Sequence, residues 1–243
     1  MTETFSNVYD DAERARAYAD LGLPGTYYLG FRDLPALLRR HARGTRALDF
    51  GCGTGRSTRF LRDLAFEVIG VDISEIMLDQ ARARDPHGDY RLVADGSLAG
   101  LGSGTVDLIL AAFTFDNTTD QQKSAALREF RRLLAAGGRV VVVVSSADIY
   151  LHEWASFSTR DFPANRTARD GDCVRIVMLD VPDRRPVVDV LCGDAHYREL
   201  FEAAGLRVVE AVRPLATGAE PVRWVSETTI SPWSIYVLSG ADA

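Results

Sequence analysis

Leu48-Asp49-Phe50-Gly51-Cys52-Gly53-Thr54-Gly55 is the stretch from which the rest of the chain is read. The apolar pair Ala47-Leu48 leads into it, and a helical pattern from Ser57 to Ala65 leads out. Strand, tight glycine turn and helix start follow from that order. Glycine has no Cβ, so a turn rich in it lets a ligand touch bare backbone. The helix beyond the turn begins with N–H groups that have no intrahelical partner. The stretch therefore predicts a cofactor pocket.

Outward from the turn, strands and helices alternate. The pattern predicts a helix over Phe31–Ala42, a strand over Arg46–Phe50, and the helix from Ser57. A strand at Glu67–Asp72 and a helix at Ser74–Arg84 come next, with Ser74 as N-cap and Pro86 past the end. Strands follow at Tyr90–Ala94 and Val106–Phe113. Asp120 is expected to cap a helix that Gly137-Gly138 ends. Val140–Val144, five valines in a row, reads as a strand buried on both faces. This rhythm implies a parallel sheet with helices on both sides. Residues 146–193 break it: Val174–Val181 and Pro186–Leu191, separated by Pro182-Asp183-Arg184-Arg185, read as an inserted hairpin. A helix (Tyr197–Ala204) and strands at Leu206–Val212 and Trp233–Leu238 complete the series.

The chain has 243 residues, 47% of them hydrophobic, which suits one α/β domain with a real core. The net charge of -6 argues against a nucleic-acid partner, which needs a basic surface. The three cysteines (Cys52, Cys173, Cys192) match no zinc spacing, so no metal is expected. Met1 to Asp10 is polar, and no apolar run approaches the roughly 18 residues of a membrane span. A cytoplasmic protein without signal peptide or membrane anchor, monomeric or homodimeric, is the expectation.

Two cofactors compete for the turn. A dinucleotide fingerprint needs G-x-G-x-x-G and an acid about 20 residues on. Asp72 supplies the acid, but Arg56 stands where the third glycine belongs. The stretch from Leu48 to Gly55 resembles instead the acid-x-G-x-G-x-G pattern of class I methyltransferases, which use S-adenosylmethionine (SAM). The resemblance is to the small-molecule "type 11" group. SAM carries an ammonium and no phosphate, so Asp49 beside the turn suits it and would repel a pyrophosphate.

The resemblance implies a seven-stranded, mostly parallel, Rossmann-like sheet whose last strand is antiparallel. It implies cofactor contacts from Asp49, Gly51, Cys52, Gly53 and Gly55, from Asp72 and Ile73 (ribose), from Asp95 and Gly96 (adenine), and from Phe113. An N-terminal helical lid over residues 1–43 would add Tyr18 and Arg32 to the cofactor, the latter facing the SAM carboxylate. On the acceptor side it would add Tyr9 and Tyr28.

Phe113-Thr114-Phe115-Asp116-Asn117 ends the fourth strand, beside the transferring methyl in this family. The Asn/Asp-Pro-Pro-Tyr/Phe motif of DNA and protein-amide methyltransferases is absent, which points to a small-molecule acceptor. His152 and Asp116 are the general-base candidates. Phe115, Trp154, Phe157 and Trp233 are candidates to wall the acceptor, the insertion at 146–193 serving as its cap. The acceptor atom stays open among nitrogen, oxygen and carboxylate. A SAM-binding protein with chemistry other than methyl transfer, and a non-catalytic SAM-binding module, are the competing readings.

Overall fold

The computed structural model describes residues 25–93 and 97–241. Tyr9, Tyr18, Asp95 and Gly96 lie outside them, and so does the proposed lid before Gly25.

Two short helices come first, α1 (Gly25–Arg32) and α2 (Leu34–His41). The single helix expected over Phe31–Ala42 is broken at Asp33. Pro35 has no N–H for a bond back to Phe31, and its ring would crowd that carbonyl. The alternating series then runs β1 (Arg46–Phe50), α3 (Arg56–Asp63), β2 (Glu67–Asp72), α4 (Glu75–Arg84), β3 (Asp89–Leu92), β4 (Val106–Ala112), α5 (Asp120–Leu133) and β5 (Leu134–Ser145). Ser74 caps α4 as expected, its hydroxyl accepting the Met77 N–H. The cap of α5 is Thr119, one residue earlier than expected; Thr119 and Gln122 form a reciprocal capping box.

Gly137 and Gly138 do not end α5. They lie inside β5, where the register against β4 shifts between Val106 and Leu108. The helix stops at Leu133, and Gly137, at φ +77°, sits in the irregular start of the strand. Beyond it, Val140, Val142 and Val144 pack on one side of the sheet and Val141 and Val143 on the other, so the strand is buried on both faces.

The main sheet has seven strands in the order β3-β2-β1-β4-β5-β10-β9. Those from β3 to β5 are parallel; β10 (Trp233–Gly240) runs antiparallel to both β5 and β9 (Leu206–Val212). This is the expected α/β architecture. The strand order reverses between β1 and β4, and in open α/β sheets that switch point opens the ligand crevice at the carboxyl ends. The residues after β5 hold a second sheet of three strands, β6 (Phe157–Ser158), β7 (Cys173–Met178) and β8 (Val187–Val190). The hairpin expected there is β7–β8, and β6 extends it. Helix α6 (Asp194–Ala203) then returns to the main fold.

The insertion has its own core. Ile149, Trp154, Phe157, Ile176 and Met178 pack with Tyr27 and Leu29 of α1 and with Trp233 at the start of β10. Burying these aromatics in one cluster stabilises the contact between distant chain segments at roughly 25 cal/mol per Å² of apolar surface. Glu227 reinforces it. Its fully buried carboxylate accepts from the Thr26 hydroxyl (2.6 Å) and from the N–H groups of Ala155 (2.7 Å), Val225 (2.8 Å) and Ser226 (3.1 Å).

Candidate cofactor and acceptor site

A cleft of about 560 Å³ opens at the carboxyl ends of β1, β2 and β4. The turn after β1 forms its floor. Gly51, Gly53 and Gly55 all have positive φ (70°, 53° and 76°), a region that side chains disfavour. The reason for glycine differs between them. A Cβ at Gly51 would lie 2.4 Å from the Thr114 side chain, whereas one at Gly53 meets only the Met77 methyl at 3.2 Å. Gly53 thus leaves open space in the cleft, and Gly51 permits close approach of β4.

Asp72, at the end of β2, lines the cleft. Its two oxygens accept the N–H groups of Gly53 (2.7 Å) and Ser74 (2.9 Å), fixing the carboxylate between the turn and the cap of α4. Ile73, Met77 and Val93 add an apolar flank, and Cys52 a buried small side chain. Arg56 also lines the cleft, with its guanidinium 5.5 Å from the Tyr27 ring centre.

Asp49 is placed differently from the expectation. It is fully buried beneath the turn and absent from the cleft lining. Its Oδ2 accepts from the hydroxyls of Ser57 (2.7 Å) and Thr58 (2.6 Å), so it ties β1 to the first turn of α3, while Oδ1 has no partner. Burial pushes its pKa up to about 6 against those two hydrogen bonds. Gly55 likewise does not line the cleft; it is the left-handed residue before α3, packed on Tyr90.

Beside the cleft lies a smaller pocket of about 50 Å³. Phe113 and Asn117 line both spaces. Phe113 has φ +60°, a strained value for a side-chain-bearing residue that surrounding packing must enforce. Its ring sits edge-on to Tyr27 (5.2 Å) and Trp233 (4.7 Å). Gly30 permits this, since a Cβ there would lie 2.7 Å from the Phe113 ring.

Asp116 and Asp189 also line the smaller pocket. Asp116 accepts the Ser145 N–H (2.8 Å), and its carbonyl accepts the Val190 N–H (2.7 Å), joining β4, β5 and β8. Asp189 accepts the Tyr150 hydroxyl (3.0 Å). Burial holds both carboxyls above the usual carboxylate range, and the charge of Asp116 pushes Asp189 further, with Lys123 opposing.

Of the acceptor-wall candidates, Phe157 and Trp233 line the smaller pocket and Phe115 lines the cleft. Trp154 does not reach either. Its indole N–H donates to the Ile149 carbonyl (2.8 Å), and the ring is core of the insertion. His152 lines neither space; it packs edge-on to Trp154 and its carbonyl accepts from Thr159. Tyr28 points outward, and the ring that enters the site is its neighbour Tyr27. Arg32 is held away from the cleft by Asp33, Glu220 and the Leu215 carbonyl. Tyr27, paired in the sequence with Tyr28 as a possible addition to the aromatic lid, lines the smaller pocket; the residues that sequence reasoning missed are Arg56 and Asp189. Asp189 had a signal: in Val187-Val188-Asp189-Val190 the two-residue period of a strand puts it on the inward face with Val187.

Asp120, Cys192 and His196 each bring one potential metal-ligating atom within 4.8 Å of the others. The His196 Nε2–Asp120 contact of 2.7 Å joins α5 to α6 and raises the imidazole pKa. The Lys123 ammonium, 3.7 Å from Asp120, places a cation in the same group.

A family model described as a methyltransferase domain, of type 11, matches residues 48–142, from β1 into β5. An uncharacterized methyltransferase of Geobacillus sp. (strain WCH70) is 33% identical over 89 residues, 36% of this chain and 41% of that protein. The dTDP-3-amino-3,6-dideoxy-alpha-D-glucopyranose N,N-dimethyltransferase of Streptomyces fradiae is 42% identical over 71 residues, 27% of this chain and 28% of that protein. The chain thus spans less than two thirds of the length of the curated relatives it matches. The solved CcbJ methyltransferase from Streptomyces caelestis superposes with a TM-score of 0.62 at 22% identity, over 88% of this chain and 96% of that one. That likeness concerns the fold.

Sheet order and glycine turn define the Rossmann-like fold of class I methyltransferases. Residues 48–142 match the type 11 methyltransferase domain, which implies SAM as the cofactor of the cleft. Among the described residues, no helix is long and apolar enough to cross a membrane.

Proposed function

We propose that this protein is an enzyme that transfers a methyl group from SAM to a small-molecule acceptor, releasing S-adenosylhomocysteine. The observation that carries this reading is the small, aromatic-walled pocket of about 50 Å³ that adjoins the SAM cleft through Phe113 and Asn117. A space of that size suits a small acceptor group, and the net charge of -6 disfavours nucleic acid. The named substrate of the Streptomyces fradiae relative, a sugar nucleotide, is also a small molecule.

The residues present fit SAM. Asp72 would accept from the ribose hydroxyls, Ile73, Met77 and Val93 would flank the adenine, and Arg56 would face the carboxylate. Bound SAM supplies an electrophilic methyl on a sulfonium. The protein's task is alignment: an in-line displacement gains much of its acceleration from holding the two reactants in register. The rings of Phe113, Tyr27, Phe157 and Trp233 exclude water where the acceptor would meet the donor.

The test combines S-adenosylhomocysteine release with SAM affinity. Release is expected with at least one class in a panel of amines, phenols and carboxylic acids. Asp72→Ala is expected to lower SAM affinity by about 1.5–3 kcal/mol, as for charged hydrogen bonds. Absence of release with every class, or unchanged affinity in the variant, contradicts the reading.

A further inference from the structure

We infer that the acceptor is an amine and that Asp116 and Asp189 form the subsite for its nitrogen; the inference rests on the methyltransferase reading above. The smaller pocket carries the argument. Its walls are mostly aromatic and aliphatic, with Asn117 and Ser145, and Asp116 and Asp189 are the only charged side chains lining it among the described residues. They come from different parts of the chain, the end of β4 and the inserted strand β8. Each is fixed by its own hydrogen bond, to Ser145 and Tyr150 respectively.

Asp116 and Asp189 are both buried, and two buried carboxylates lining one pocket repel each other and lose hydration. A shared proton relieves one charge. An ammonium relieves both, because it brings a positive charge and several N–H donors at once. A carboxylate or phenolate acceptor would add to the repulsion, and a neutral alcohol offers one donor and no charge. The nearby buried cation, Lys123, is committed elsewhere: it donates to the Thr118 carbonyl and faces Asp120. The cavity is small, so it receives the nitrogen-bearing end while the body of the acceptor extends past Phe113 and Asn117 into the cleft.

In the transfer, one carboxylate takes a proton from the ammonium. The freed nitrogen lone pair forms the new N–C bond while the C–S bond to the methyl breaks, its electron pair staying on sulfur. The methylated nitrogen is again cationic and is held by the same pair until release.

The test uses protein saturated with S-adenosylhomocysteine and matched probes. These are benzylamine and 2-phenylethylamine, their alcohols, and benzoate and phenylacetate, with binding read by calorimetry. The amines are expected to bind about tenfold or more tighter than the alcohols, in the range of charged hydrogen bonds, and the acids not at all. Asp189→Asn is expected to remove that preference while S-adenosylhomocysteine affinity stays unchanged, which also reports that the variant is folded. Alcohols or acids binding as well as the amines, no binding of either amine, or an unaltered preference in Asp189→Asn overturns the inference. The probe comparison in the parent protein needs no variant. Failure of S-adenosylhomocysteine itself to bind would instead sink the methyltransferase reading.

Discussion

The SAM cleft and the smaller acceptor pocket share Phe113 and Asn117 but are built by opposite means. The cleft is floored by short, local pieces, the turn from Gly51 to Thr54, the end of β2 and the start of α3, with the end of β4 and the start of α5 opposite. Its polar groups include the Arg56 side chain and the Asp72 carboxylate, which two backbone N–H groups hold. The smaller pocket draws on α1, the end of β4, the inserted sheet and the first residue of β10, which are far apart in sequence. Its charged groups are carboxylates that burial penalises. One half is thus a preformed turn on a rigid sheet. The other exists only when distant segments pack, and its shape depends on the contacts between them.

Glu227 offers the largest separation of the two halves. It bonds α1, the insertion and the loop before β10, and touches no part of the cleft. Glu227→Ala removes the acceptor of the buried Thr26 hydroxyl and of three part-buried N–H groups, and is expected to cost about 3–5 kcal/mol of stability. SAM affinity, measured at a temperature where the variant is folded, is expected to stay near the parent value. Equal loss from both halves would break the distinction drawn between them.

A smaller effect belongs to Asp49, under the cleft. Its pKa is about 6 in the fold and near 4 when unfolded, so the stability tied to its neutral form is fully present below about pH 4. It is lost as the pH rises through about 6. Asp49→Asn removes that titration and is expected to flatten the decline by on the order of 1–2 kcal/mol. Urea unfolding at about pH 4.5 and about pH 7.5 reads it. An identical pH dependence in parent and variant would remove Asp49 from the account.

The same contrast explains how much was legible in the sequence. The order of strands and helices, the glycine turn and Asp72 sit in contiguous motifs whose spacing is local physics. Misplacements arose where a motif residue had a structural partner that spacing does not show. Asp49 points at Ser57 and Thr58 rather than into the cleft. Arg32 is taken by Asp33 and Glu220, while Arg56, read only as a break in a dinucleotide motif, lines the cleft. In the insertion, aromatic content signalled a wall but not which rings form it. Trp154 serves the core because its indole N–H finds the Ile149 carbonyl. Asp189 was visible only as a charge in the inward phase of a short strand, and its meeting with Asp116 depends on the tertiary fold.

Calorimetric titration of the parent protein with SAM and, separately, with NAD tests the central claim most directly. The account predicts saturable one-to-one binding of SAM and no binding of NAD, because Arg56 stands where a dinucleotide turn needs its third glycine. Binding of NAD without binding of SAM would contradict it.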